Sequence, residues 1–423
     1  MKAVIYGAGN IGRGFLGQIF SQSAYELTFI DVDDTVVDRL NREGRYPIRI
    51  LSDFSCDNLS PCDNSPRYTD DIWIEGIRAI NGGNEEDASE AIAAADIMAT
   101  AVGVRALPLI APVIAAGLKK RFTRSRQALN IIICENLLDA DKTLGCLVKK
   151  QLSPEEQIAF DQTVGLVEAS IGRMVPLQTG EMQDGNPLRI CVEEYGFLPV
   201  DKASFKGEIP PLAGVVLAGA TPDDNFDFYI QRKLFIHNMG HAICAYFGLI
   251  RGNTYIYEAA SHGALLFIAQ NAMMESALAL SARFQMPLSD IHYHIRDLLR
   301  RFSNRALKDT CERVGADTQR KLGNQDRFIG ALSCCSNEGI NPAFVSVGTA
   351  AALYWHLREN NLPQSREAAL AALKEVSGLE EADAGKILFF HSLLSSAQSG
   401  DFDKTIEKII KAASDEGQVP GII

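Results

Sequence analysis

Three side chains suited to proton transfer and oxyanion binding, Lys233, Asn238 and His241, fall within one short segment, QRKLFIHNMGHAICAYFG. A lysine acts as a base when its pKa is lowered, an amide donates to an oxyanion, and an imidazole orients groups or shuttles protons. Residues 227–249 contain no proline and read as helix. At about 100° per residue, His241 falls roughly 80° round from Lys233 and Asn238 roughly 140°. All three share one side, with His237 between Lys233 and His241, while Phe235, Ile236, Met239 and Ala242 take the other. The same spacing also describes a solvated polar stripe on an ordinary amphipathic helix, so the rest of the chain has to decide.

Chemistry on such a helix needs a reaction partner, and the first residues supply a candidate. Lys2–Tyr6 reads as a buried strand, Ile11–Ser21 as a helix, and Leu27–Ile30 as a second strand followed by Asp31. Between the first strand and its helix lies Gly7-Ala8-Gly9-Asn10-Ile11-Gly12, which fits G-x-G-x-x-G. The first glycine permits the tight turn, the second lets backbone approach a pyrophosphate, and the third allows close helix–strand packing. The helix start at Asn10 and Ile11 offers unpaired N–H groups and a partial positive charge to the phosphates. Asp31 stands 24 residues after Gly7, where a carboxylate accepts from a ribose hydroxyl and repels a 2′-phosphate. NAD is therefore the expected cofactor, in preference to NADP. For Arg13 two orientations are open, toward the pyrophosphate or toward solvent.

Ile97–Ala101 and Asn130–Cys134 are further apolar runs, each followed by a turn and a helical pattern. This alternation predicts an α/β, Rossmann-like domain over residues 1–200, with a mostly parallel sheet and helices on both faces. Residues 163–200, including Leu188–Val192, read as the last strands of that sheet and a crossover. Residues 51–75, rich in Ser, Asp, Asn and Pro, read as an irregular surface excursion. After a Pro/Gly-bearing stretch at 207–214, helical patterns dominate: 227–249, 254–284, 288–302, 343–360, 365–376, 383–397 and 401–414. They predict a mostly α-helical domain over 201–423. Two domains are what 423 residues should form.

Hydrophobic content of 47% and charged content of 22% are ordinary for a globular protein. A net charge of −12 argues against nucleic acid or an anionic membrane as the main partner, but not against a small anion met by converging basic groups. The opening MKAVIYGAGNIG lacks the features of a signal peptide, and no run of about 18 apolar residues suggests a membrane span. Nine cysteines without a CxxC do not form a disulfide framework, so a reducing, cytoplasmic setting is expected. Cys334 and Cys335 read as structural, Cys134 as a small buried hydrophobe, and His262 as a helix-surface residue. His292 and His294, two apart, do not share a helix face, and no metal site is expected.

With GAGNIGRGF at the start and Lys233-x4-Asn238-x2-His241 in the helical half, the chain resembles the polyol-specific long-chain dehydrogenases. Matches at ADIMATAVG (95–103), CENLLDADKTL (134–144) and RFSNRALKDTCERVGADTQRKLGNQDRF (301–328) spread the resemblance over most of the chain. It implies a zinc-independent, NAD-dependent oxidoreductase acting on the CH–OH group of a small polyol or sugar phosphate. Lys233 would be the general acid/base, and Asn238 with Asn136 would hold the developing alkoxide or carbonyl oxygen. His241 would orient Lys233 or bind a substrate hydroxyl. Arg313 and Lys321 match substrate-contacting basic positions, and Glu135 matches a carboxylate that gates proton exchange. The phosphate-handling branch suggests D-mannitol 1-phosphate and D-fructose 6-phosphate. An unphosphorylated polyol, a ketose or a hexuronate is the alternative, because Gly172 stands where most relatives have a substrate-side Asp. A non-catalytic NAD sensor would show a decayed acid/base set, whereas Lys233, Asn238, His241 and Asn136 are all present. The basic run Arg301, Arg313, Arg320, Lys321 and Arg327 suits a phosphate, or else pairs with Asp309, Glu312, Asp317 and Asp326.

Overall fold

A computed structural model describes residues 1–52, 67–68, 70–125, 127–218, 225–396 and 401–416. Six apolar runs form one sheet, in spatial order Ile77–Asn81, Glu26–Asp31, Lys2–Tyr6, Ile97–Thr100, Leu129–Ile133 and Val164–Glu168. Every neighbouring pair is parallel. Counted along the chain, this is the doubly wound order that places a switch point beside the first strand. Ile97–Thr100 and Leu129–Ile133 are buried at every residue, as strands covered on both faces must be. Alternate side chains feed two cores: Ala3 and Ile5 join Phe15, Leu16 and Phe29, while Val4 and Tyr6 join Ile92, Ile114 and Ile131. The Rossmann-like sheet expected from the sequence is therefore present.

Leu188–Val192 does not extend that sheet. Ile190–Val192 pairs in parallel with Arg45–Ser52, which also pairs antiparallel with Ile72–Glu75 and Arg67–Tyr68. The cause is local. A Cβ on Gly14 would come within 2.5 Å of Ile190 Cγ2, so the bare glycine lets this strand lie directly on the first helix. The expected excursion at 51–75 thus has strands at both ends, and its positions 53–66 and 69 lie outside the described residues. Leu198–Asp201 and Val215–Ala218 form a parallel pair of their own. They keep the segment after 200 with the first compact unit, Met1–Phe226, and the second unit is Asp227–Ile423. The two units divide within the helix Phe226–Arg232.

The second unit is helical throughout its main elements. Leu288–Phe302, Ala343–Glu359, Arg366–Ser377, Glu381–Ser395 and Phe402–Glu416 sit where the sequence pattern places them. The expected helix at 254–284 is interrupted, with Ile256–Ala260 and Gly263–Phe284 joined through Ser261 and His262. Ile329–Asn337 is a further helix that the periodicity reading left unassigned. Gly263–Phe284 is long and apolar enough to cross a membrane by length and composition, although polar residues such as Gln270, Asn271 and Glu275 interrupt its apolar run. Its Leu265, Ile268, Ala272, Met273 and Leu280 are buried within the unit. From the same helix Glu275 accepts hydrogen bonds from the N–H groups of Phe344 (2.9 Å) and Val345 (2.8 Å), at the start of Ala343–Glu359. Burial outweighs these two donors and pushes the Glu275 carboxyl up to about 8.

Candidate active site

In the first unit, Tyr6, Thr100 and Ile133 stand in register across three adjacent strands. The loops that follow them therefore emerge side by side at the carboxyl edge, where open α/β sheets bind ligands. The first is the glycine loop. Gly7 has φ +107°, and its N–H donates to the Ile30 carbonyl at 2.8 Å. A Cβ on Gly12 would lie 1.8 Å from the Gly7 oxygen, whereas one on Gly9 would meet nothing within 4 Å. Gly7 and Gly12 thus close the turn, and Gly9 leaves its outer side open for a ligand to approach. Asn10 and Ile11 begin the helix, which then widens into a π-turn at Gly12–Leu16.

Asp31 ends its strand as expected and also braces the loop. One carboxylate oxygen accepts from Ala8 N at 2.6 Å and the other from Asp33 N at 3.0 Å. Each oxygen keeps a lone pair for a ribose hydroxyl, and the negative charge opposes a 2′-phosphate. Burial, then Asp31 and Glu85, push the neighbouring Tyr6 hydroxyl up to about 12. The residues present fit NAD. Arg13 takes neither orientation considered for it. It is buried, donating to Ala8 O at 2.6 Å and Leu188 O at 2.7 Å, and so ties the glycine loop to the second sheet.

The other two loops carry Glu135 and Asn136. Buried Glu135 accepts from the consecutive amides of Val102 (3.0 Å) and Gly103 (2.8 Å), fixing the loop after Ile97–Thr100. Asn136, the next residue, is exposed on this unit. Gly172 lies against Tyr195, and a Cβ there would come 3.1 Å from the Tyr195 ring. The tyrosine thus takes the space beside the position where the resemblance expects an Asp.

In the second unit, Lys233–Asn238 forms a π-turn between the α-helical segments Phe226–Arg232 and Met239–Arg251. In an i→i+5 turn, residues five apart are about one turn apart, so Asn238 comes round toward Lys233 instead of lying roughly 140° away. Lys233, Asn238 and His241 are all half-buried. The His241 ring stacks on Phe302, with centroids 4.9 Å apart and planes 8° apart. Its Nε2 lies 3.3 Å from Asp309 Oδ2, a close approach that is not aligned as a hydrogen bond. His237, also buried, packs 6.2 Å from His241 and 5.9 Å from Phe302. Burial first, then Arg301 and His241, hold its imidazole well below the ordinary range, so it stays neutral.

The predicted substrate cations are engaged within the protein. Arg313 donates to both oxygens of Asp309 at 2.7 Å, and its side chain is 39% exposed. Burial would raise the Asp309 carboxyl, but His241 and Arg313 outweigh it and hold the group below its usual range. Lys321 is buried, and its ammonium donates to the carbonyls of Val314, at 2.8 Å, and Ala316. Burial, with Arg327 and Arg320 adding like charge, lowers it to about 8. Arg320 pairs with Asp317 and Asp326, and Arg327 with Asp326. Mutual pairing therefore accounts for much of the basic run.

The sequence reading left Asp309 as an ion-pair partner and missed its approach to His241. Its spacing of four before Arg313 was a usable signal for the pairing alone. Cys134, Cys334 and Cys335 are buried free thiols, and His262 pairs with Asp403 at 3.3 Å. Among the described residues no group of three His, Cys, Asp or Glu side chains could hold a metal ion.

Comparison with known proteins covers both units. The model of the mannitol dehydrogenase Rossmann domain matches residues 1–214, and that of the mannitol dehydrogenase C-terminal domain matches 225–393. A mannitol-1-phosphate 5-dehydrogenase of Brevibacillus brevis is 34% identical over 377 residues, 89% of this chain and 90% of that protein. Among solved structures, a substrate-free D-sorbitol dehydrogenase aligns with a TM-score of 0.76 at 15% identity, covering 97% of this chain and 95% of that one. Pseudomonas fluorescens mannitol 2-dehydrogenase, in a ternary complex with NAD and D-mannitol, gives 0.73 at 14% identity over 97% and 94%. A glycine loop fit for a dinucleotide and a lysine–asparagine π-turn thus sit in the two domains that define one group of enzymes, and the chain belongs to the mannitol dehydrogenase family.

Proposed function

We propose that this protein is an NAD-dependent oxidoreductase that interconverts D-mannitol 1-phosphate and D-fructose 6-phosphate, with Lys233 as general acid/base. The observation that carries the choice of substrate is the 34% identity, over 89% of the chain, to a protein named mannitol-1-phosphate 5-dehydrogenase. Bound at the Gly7–Gly12 loop and Asp31, NAD supplies the hydride acceptor. The chain's own residues supply position and proton handling. Lys233 takes the hydroxyl proton during oxidation and returns it during reduction. Asn238, one π-turn away, donates its amide N–H to the same oxygen as negative charge builds there, the role the resemblance also gives Asn136. His241, fixed in plane by Phe302, orients the substrate hydroxyl or the lysine. The outer face of Arg313 is offered to the phosphate, while Lys321 is committed to backbone carbonyls.

Gly172 and its Tyr195 neighbour favour a second reading, in which an unphosphorylated polyol or a hexuronate is the substrate. NADH oxidation with fructose 6-phosphate, fructose and fructuronate, measured side by side, separates the two. The proposal expects fructose 6-phosphate to be preferred by at least about 10²-fold in kcat/KM, as for a site built around a charged group. Robust reduction of another sugar with none of the phosphorylated ketose would refute it.

A further inference from the structure

We propose that Asp309 is a positioning residue for His241, holding the imidazole with the proton on Nε2 and Nδ1 left as the acceptor, and that Arg313 serves this site by fixing Asp309. This rests on reading the Lys233 segment as an acid/base centre. His241 Nε2 is buried, has no aligned hydrogen-bond partner among the described residues, and faces Asp309 Oδ2 at 3.3 Å. A carboxylate accepts only, so the nitrogen that faces it is the one that bears hydrogen. The ring plane is set by the stack on Phe302, which leaves the 180° flip about Cβ–Cγ as the freedom that the carboxylate must fix. An approach of this length and tilt is what an acid/base group shows before its ligand draws it into line.

Asp309 is well placed to impose this. The carboxylate is 7% exposed and held on both oxygens by Arg313 at 2.7 Å. Its backbone is held as well: Ile256 N donates to the Asp309 carbonyl at 2.9 Å, and Cys311 N to the Thr254 carbonyl at 2.9 Å. Thr310, between them, caps the Cys311–Gly315 helix that carries Arg313. Lys321 then ties down the far end of that helix through Val314 and Ala316. A line of fixed groups thus runs from Lys321 through Arg313 and Asp309 to His241. Lys321 and Arg313, both singled out as substrate contacts, thus also act as supports along it. His237, which packs beside the ring, is kept neutral by burial and does not compete for the carboxylate.

The test is the protonation pattern of His241, read by long-range ¹H–¹⁵N correlation on ¹⁵N-histidine-labelled protein without substrate, with the His241→Gln variant giving the assignment. A proton on Nε2 is expected, and a bare Nε2 with the proton on Nδ1 would overturn the proposal. Asp309→Asn should lose that preference and lower kcat by about 10²-fold with KM changed less than about threefold. If the variant does not fold, the wild-type spectrum alone still decides. The two proposals fail separately. The expected tautomer without fructose 6-phosphate reduction removes only the substrate assignment, and reduction of that sugar with Nδ1–H removes only the role of Asp309.

Discussion

Two alanines placed three residues apart should have opposite effects. Gly9 has open space where its Cβ would stand, and its φ is not positive, so Gly9→Ala fits the folded backbone. Stability should hold or rise by about 0.4–1 kcal/mol, because alanine narrows the unfolded ensemble. The new methyl then projects to the side where a pyrophosphate approaches the helix start. Losing one charge-assisted hydrogen bond costs about 1.5–3 kcal/mol, or roughly 10–150-fold in NADH affinity. Gly12→Ala differs, because its Cβ would sit 1.8 Å from Gly7 O and 2.9 Å from Gly7 C. Both are backbone atoms, and Gly7 is itself held by Ile30, so the whole loop must move. Overpacking of this kind costs about 1–3 kcal/mol, a fall in Tm of roughly 2–12 °C for a unit of this size. Fluorescence titration with NADH, run beside thermal unfolding, reads both effects. A Gly9→Ala protein that binds NADH as tightly as wild type would show that the open side of Gly9 is not where the phosphates approach.

Lys233→Ala should reduce turnover by at least about 10³-fold while NADH still binds, and near-normal turnover would remove the lysine from the chemistry. Asn238→Ala should lower kcat by about 10²-fold, with KM much less affected, if its amide acts chiefly on developing charge. Glu275 gives a pH signature in stability. Its carboxyl is raised from 4.5 to about 8 on folding, so its contribution is full below the unfolded value and is lost as pH rises through about 8. Melting measured from about pH 5 to about pH 9 should fall over that window, and Glu275→Gln should flatten the fall.

All strands of the main sheet but the edge strand Ile77–Asn81, with the glycine loop and Asp31, were legible because each follows from local rules of periodicity and turn chemistry. The long helices were legible for the same reason, their caps aside. What escaped the sequence depends on contacts between distant residues. Ile190–Val192 looks like any other apolar run, and only its fit over the bare Gly14 sends it to the second sheet. Arg13 has two polar outlets in sequence terms, but two backbone carbonyls 180 residues apart in the chain supply a third. Lys321 has the charge of a phosphate ligand and the surroundings of a buried support. The polar stripe of Lys233, Asn238 and His241 was visible, but an ideal helix set its phase wrongly, since periodicity assumes the same turn throughout.

The same π-turn has a consequence for changes of chain length. A wide turn is an α-helix carrying one extra residue, so removing any single residue from 233–238 would restore an unbroken i→i+4 ladder. Deletion of Leu234, for instance, gives a more regular helix and swings His241 about 100° relative to Lys233. Residues 233–238 are therefore a block of fixed length, in which a deletion that suits the helix would change the phase of His241 against Lys233. The helix is one residue away from an unbroken α-helical ladder, and that residue is what turns Asn238 toward the side of Lys233.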